Sequence, residues 1–419
     1  MTPERDFQNL PHPGPFDGPS FESCLPSRLV PRMPINLMRS SGMASGCVRA
    51  GAFVLTVCLV GVAAAQESLP NPTSDPPEMY INDPFNADGF TGIPSCTDAD
   101  MLPCWPRWFA GASGLVMTRT LPAGAATMQP LSGVPQLSTS NAAATWPGGL
   151  DLHVGRWFGP QQQSAIEFIY WGVYGIGSSA VASSGTGSIV AIPNTAGITI
   201  GSTAASTILS AVNTEQISRS DLVNDVEINW LYSLHERPEF LPQERRMNLM
   251  WLAGFRFFQL QDVLTLSSTS GADQLNFNVA TNNNLYGGQF GAKFDWRLAP
   301  RLRFSALPKV LLAGNAITNA SLLANSSGTA ATFASGAPVN VQSKASVVSW
   351  LGSVDTSIAW DVTDKWSLSM GYRVVGVGNI AQADGQWPTL ITNANSLSGI
   401  DAGSSTVIHG GFAGFEGRY

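Results

Sequence analysis

Charge is what this sequence has least of. Asp, Glu, Lys and Arg make up 12% of its residues, about half the ~25% usual in soluble domains. The net charge is −7, and no cluster of Lys and Arg is dense enough to track a phosphate backbone, which excludes a nucleic-acid partner. Histidine is scarce too. His153, His235 and His409 are too scattered for metal-ligand spacing. No Gly-rich loop follows a strand and opens a helix, as nucleotide sites require. No nucleophile–histidine–acid set stands at a spacing that demands catalysis. The expectation is no catalytic residue, no metal, no cofactor, and no enzyme. A hydrolase reading needs an acid beside His409, and Asp401 is near it in sequence.

A membrane-spanning helix is also missing. The stretch that could be mistaken for one, Ala50 to Ala65, falls short of the ~20 residues a span requires. It follows Arg39 and Arg49 and ends in three alanines before Gln66. A basic flank, an apolar core and small residues at the cut make a secretory signal peptide, cleaved near Ala65. Residues 1–37 are Pro-rich and polar, and Met33, Met38 and Met43 are alternative starts. Of the 5 cysteines, Cys24, Cys47 and Cys58 precede the cut. Cys96 and Cys104 remain, in a Pro-rich leader over 66–106, and suit a disulfide in an oxidising periplasm.

What is present in quantity is alternation. Trp350, Gly352, Val354, Thr356, Ile358 and Trp360 interleave with Leu351, Ser353, Asp355, Ser357 and Ala359. After a short polar link, Trp366, Leu368, Met370, Tyr372 and Val374 interleave with Ser367, Ser369, Gly371 and Arg373. Strand side chains alternate between faces, so this is a hairpin with one greasy and one polar side. A soluble sandwich would also contain such a hairpin; repetition decides between the two. Similar segments recur near 108–118, 150–158, 165–174, 225–232, 247–257, 285–296, 302–312 and 407–419. Links near 159–163, 233–246, 297–300 and 362–365 are short. Those at 119–147, 177–220, 262–283, 313–346 and 379–404 read as long loops, with room for an extra hairpin in the second. Short turns at one end, long loops at the other and an even strand number describe an outer-membrane barrel with both ends in the periplasm. The fold class expected over 107–419 is all-β: a transmembrane antiparallel up-and-down β-barrel of about ten strands, within a range of ~8–12. Trp108, Trp157, Trp230, Trp296, Trp360, Trp366 and Tyr419 fall at the periplasmic ends, as an aromatic girdle would.

Met247–Asp262 (MNLMWLAGFRFFQLQD), Thr281–Trp296 (TNNNLYGGQFGAKFDW), Leu311–Ala316 (LLAGNA), Ser367–Gln386 (SLSMGYRVVGVGNIAQADGQ) and Ile408–Tyr419 (IHGGFAGFEGRY) carry a resemblance to the beta-barrel porin type seven family, known mainly from planctomycete bacteria. The resemblance runs from about Trp108 to the C-terminus and rests on the order and spacing of short motifs. It implies an outer-membrane barrel and supplies no substrate and no catalytic residue.

If the polar faces point inward, the lumen is lined by Asp151, Glu167, Asp225, Glu227 and Asp355, facing Arg256, Lys293, Arg303, Lys309 and Arg373. Acids dominate the wall from the second to fourth strands and bases that from the fifth to seventh. Two readings stay open: a plugged lumen cross-linked by ion pairs, giving a structural or surface-layer-anchoring barrel, and a narrow porin-like channel for ions or small solutes. The expected partners are outer-membrane lipid, the barrel-assembly machinery through the C-terminal strand, and other barrels or a cell-surface layer through the uncharged loops.

Overall fold

The computed structural model describes residues 107–129, 136–159, 162–184, 189–233 and 246–419. The signal peptide, the leader with Cys96 and Cys104, and His235 lie outside the described residues.

The alternating segments become strands β1 (Trp108–Arg119), β2 (Gly148–Phe158), β3 (Ser164–Ile176), β4 (Ser179–Ser183), β5 (Thr199–Ile200), β6 (Thr203–Ala204), β7 (Thr214–Ser233), β8 (Met247–Ser270), β9 (Asp273–Ala299), β10 (Leu302–Asn325), β11 (Asn340–Asp361), β12 (Trp366–Ile380) and β13 (Ser404–Arg418). Except for the small β5–β6 pair, they form one antiparallel sheet that closes through β1–β13 and β3–β7. β4 carries on along β7 beyond the end of β3, so these two share one position and the ring has ten. Ring closure satisfies the backbone groups of both sheet edges, which a strand protein in lipid requires. At the end expected to be periplasmic, Trp108 N donates to Tyr419 O at 2.9 Å and Tyr419 N to Trp108 O at 2.8 Å.

The outward faces show where lipid lies. On β8, Met247, Leu249, Trp251, Ala253, Phe255 and Phe257 point out, and Gln259 and Gln261 follow. About eleven residues of tilted strand rise ~25 Å, the height of the apolar band on outer-membrane barrels. The strands continue past it. β7 to β11 are 20, 24, 27, 24 and 22 residues long, so one side of the wall stands well above the lipid.

This corrects three boundaries. Residues 262–283 are not a long loop: β8 and β9 run on to a two-residue turn whose first member, Gly271, has φ +59, as primed hairpin turns need. Much of 313–346 is the outer part of β10 and β11, and β7 begins at Thr214. The reason is an inversion of the pattern. Within the lipid band the greasy residues face out. Above it, Leu264, Leu266, Leu275, Phe277 and Val279 face in and are buried, while Thr265, Asn276 and Asn278 face out. A search for outward grease stops where grease moves inside. The extra hairpin expected near 188–192 and 197–201 does not form: Ile189 bridges to Val212 and Ala191 to Met128, while Thr199–Ile200 pairs with Thr203–Ala204, followed by a one-turn helix, Ala205–Leu209.

The outer connections fold inward. Met128, Leu137, Ile189, Ile198, Ile208, Phe333, Trp387 and Leu397 pack with the inward residues of the tall strands into one apolar cluster. The cluster caps the barrel.

Candidate functional site

The lumen is the place where this fold brings chemistry together, and it is built in layers. Period two on each strand sends one residue in every pair inward, so register sets the height of each side chain.

At the end expected to be periplasmic lies a cavity of about 190 Å³, lined among others by His153, Glu167, Lys293, Asp295, Arg303 and Glu416. His153 Nε2 is 3.4 Å from Glu416 Oε2, and Ser305 donates to Asp295 at 2.5 Å. Phe109, Trp157, Leu231, Met250 and Leu252 form a buried apolar patch beside it.

Along the upper wall of the cavity and above it the charges pair. Arg256 Nε donates to Asp225 at 2.7 Å and stands 3.6 Å from Glu227. Lys309 Nζ donates to both Glu227 oxygens at 2.7 and 2.9 Å, and Gln289 and Asn229 also donate to this carboxylate. Arg373 bridges Asp151 on β2 at 2.8 Å and Asp355 on β11 at 2.9 Å. Its guanidinium also lies over the Trp171 ring at 5.1 Å. Glu167, Lys293 and Arg303 stand around the cavity, and Asp151, Asp225, Glu227, Arg256, Lys309, Asp355 and Arg373 lie in these ion pairs. Asp225 and Glu227 on β7 meet cations from β8 and β10, and Asp355 meets Arg373, so the acids of one wall are matched to cations. Unpaired charge in a confined interior is costly, and pairing across the bore removes that cost.

The next layer is dry. Leu115, Trp171, Val173, Val223, Phe258, Leu260, Leu285, Leu311, Leu351, Val375, Val377 and Ile408 form one buried cluster, and none is more than 2% exposed. Nine of the ten ring positions contribute a side chain. At the tenth, on β2, stands Gly149, where a Cβ would collide with the Gly172 carbonyl and Val173.

Over this belt sits a second ionic layer, absent from the expected set. Arg119 contacts Asp221 at 2.7 Å and Asp262 at 2.8 Å. Arg219 contacts Asp262 at 2.9 Å and Asp384, from the last loop, at 2.7 Å. Asp262 also accepts from the Ala383 amide, and Asn283 holds Ala381 through both backbone groups. The loop is thereby pinned inside the barrel mouth. The signal for part of this layer was present: Arg219, Asp221, Asp225 and Glu227 keep one parity along β7. Asp384, in an irregular loop, had none.

Of the seven aromatics expected in the girdle, six point outward. Trp157 does not: it is 7% exposed against 53% for Trp230. It shares the inward parity of Asp151 and His153 and packs on Phe109 at 5.9 Å. Phe158 takes the outward place. His409 also faces out, where its Nδ1 is 2.6 Å from the Tyr372 hydroxyl and its ring meets Trp146 edge-on; Asp401 is not among these partners.

Residues 139–406 match the family described as putative beta barrel porin-7. The chain belongs to that family. No curated protein matches this porin-7 chain. Among solved structures, the porin-7 barrel is similar to the outer membrane protease OmpT from Escherichia coli, with 12% identity, a TM-score of 0.44, and coverage of 77% of this chain and 100% of that one. It is also similar to the Ralstonia pickettii toluene transporter TbuX (7%, 0.21, covering 76% and 90%). A third is the anion-selective porin from Comamonas acidovorans (10%, 0.14, covering 74% and 98%). Likeness at these scores bears on no function. The porin-7 family is one of porin-like outer-membrane β-barrels.

Proposed function

We propose that this chain is exported to the outer membrane through a signal peptide cut near Ala65 and serves there as a closed barrel with its working surface outside, not as an open pore. The supporting observation is the apolar belt. A solute or hydrated ion crossing the bore would have to pass a layer in which ring position after ring position offers a fully buried hydrocarbon side chain. Desolvating an ion there costs far more than thermal energy supplies. Two further layers, the Arg119–Asp262–Arg219–Asp384 network and the apolar cap, stack above it. The pore reading has the periplasmic cavity in its favour, but that cavity ends at the belt. Insertion would engage lipid along the apolar band and the barrel-assembly machinery through β13.

The test is planar-bilayer recording of the refolded full chain. A flat current is expected. Reproducible unitary steps from wild-type protein would overturn the closed reading and restore the channel.

A further inference from the structure

On β7, β8 and β9 the outward wall passes from apolar to mainly uncharged polar residues at one level. Val226 on β7, Phe257 on β8 and Tyr286 on β9 are register partners and end the apolar band. The next outward partners are Asn224, Gln259 and Asn284. Above them amides continue on β9 (Asn282, Asn278, Asn276, Gln274), interrupted by Ala280, while β7 and β8 carry Ser, Thr and Gln with Leu222 and Val263 among them. The lowest amides are joined into a strip running around the wall. Asn224 Nδ2 donates to Gln259 Oε1 at 3.0 Å, and Gln259 Nε2 donates to Asn282 Oδ1 at 3.2 Å. The Tyr170 and Tyr174 hydroxyls, on β3, donate to Asn224 Oδ1 at 3.1 and 3.0 Å. Higher still, Asn278 Nδ2 donates to Thr265 at 2.9 Å.

The same face is notable for its lack of charge. From Asn224 upward, no outward residue of β7, β8 or β9 is Asp, Glu, Lys or Arg, apart from Asp273 at the hairpin tip. Water-facing surfaces ordinarily carry charge on about a quarter to a third of their residues. This chain places its charges inside the bore and leaves amides outside. The strip lies directly above the lipid band, at the level of the outer-leaflet headgroups. An anionic headgroup would find no cation on these three strands; the exposed Lys344 at the same level stands two strands away, on β11. A sugar would find the amides of Asn224, Asn282 and Asn284, each type combining donor and acceptor capacity, tied together by the buried Gln259, beside two tyrosine rings for its C–H faces.

We propose that this amide face binds the uncharged glycan headgroup of an outer-leaflet glycolipid, whose acyl chains lie on the apolar band below. The inference depends on the placement in the membrane and not on whether the lumen conducts, so bilayer recordings and the experiment below fail separately.

The full chain is refolded into phosphatidylcholine nanodiscs doped with equal amounts of digalactosyldiacylglycerol and phosphatidylglycerol. Lipid retained by the protein is then read by native mass spectrometry. The galactolipid is expected to exceed phosphatidylglycerol by about fivefold, equivalent to ~1 kcal/mol. Replacing Asn224, Gln259 and Asn282 by Ala should remove the preference, with folding verified by faster gel mobility before boiling. The single variant Gln259→Glu, which keeps the shape and adds a charge, should lower it as well. Equal retention of the two lipids by wild type, or a preference that survives both variants, would overturn the proposal. So would concentration-dependent cross-linking of Asn278→Cys chains without glycolipid retention, which would make the strip a contact between copies.

Discussion

Glu227 shows how a residue can be tied to its place by others. Both of its oxygens are held by Lys309, with Gln289, Asn229 and Arg256 around them. Lys309→Met leaves that carboxylate short of its closest cation and should destabilise the barrel by on the order of 3 kcal/mol. Adding Glu227→Gln should recover most of the loss, since the two sites are coupled. The readout is the temperature at which the fast-migrating unboiled form disappears. Glu215 is the opposite case. It sits far above the lipid band, fully buried against the cap, with only the Thr127 hydroxyl to favour its charged form among the described residues. Burial pushes its carboxyl up to about 7. The unfolded group loses its proton near 4.5, so between there and 7 the native state binds more protons and stability falls as pH rises. Glu215→Gln should flatten that slope and make the cap more resistant to proteolysis at pH ~8, by at most ~3 kcal/mol. A cap whose cleavage rate is the same at pH ~5 and ~8 would contradict this.

At the scale of elements, the β8–β9 hairpin divides into a part in lipid and a part in water. A membrane-impermeant maleimide should label Asn278→Cys in intact proteoliposomes and leave Phe290→Cys, inside the apolar band, unlabelled. The lipid-embedded half of this hairpin was legible in the sequence, because Trp251, Phe255, Phe290 and Phe294 repeat at every second position toward lipid. The outer half lacks outward grease, and by that pattern it reads as loop. There Leu264, Leu266, Phe277 and Val279 hold the same period with the opposite phase, and a template demanding outward grease does not see it. The charged lumen was legible for the same reason as the lipid face, being its complement. Trp157 was misplaced because an aromatic near a strand end reads as girdle until its parity is checked against Asp151 and His153. The second ionic layer was half visible, since Asp384 reaches it from a loop with no periodicity to follow.

For the whole molecule, the layers matter more than any one contact. Cavity, ion pairs, hydrocarbon belt, second ionic network and apolar cap alternate along one axis. In both ionic layers the acids and bases are paired, and the belt between them is closely packed. Truncating the belt at Leu311→Ala should cost about 2–5 kcal/mol, as deep core truncations do. A cost below ~1 kcal/mol would mean that water already occupies that level.

The seam between β1 and β13 carries a consequence for timing. Its partners, such as Phe109 and Arg418, lie at opposite ends of the strand series, whereas β8–β9 and β9–β10 join neighbours across turns of a few residues. Chain entropy favours the near pairings first and leaves the distant one for last. Until that final zipper shuts, two bare strand edges confront the bilayer with unmet amides. A nascent barrel of this kind therefore passes through a sticky, half-open stage whose lifetime is set by how soon its fifteen-residue last strand finds its first.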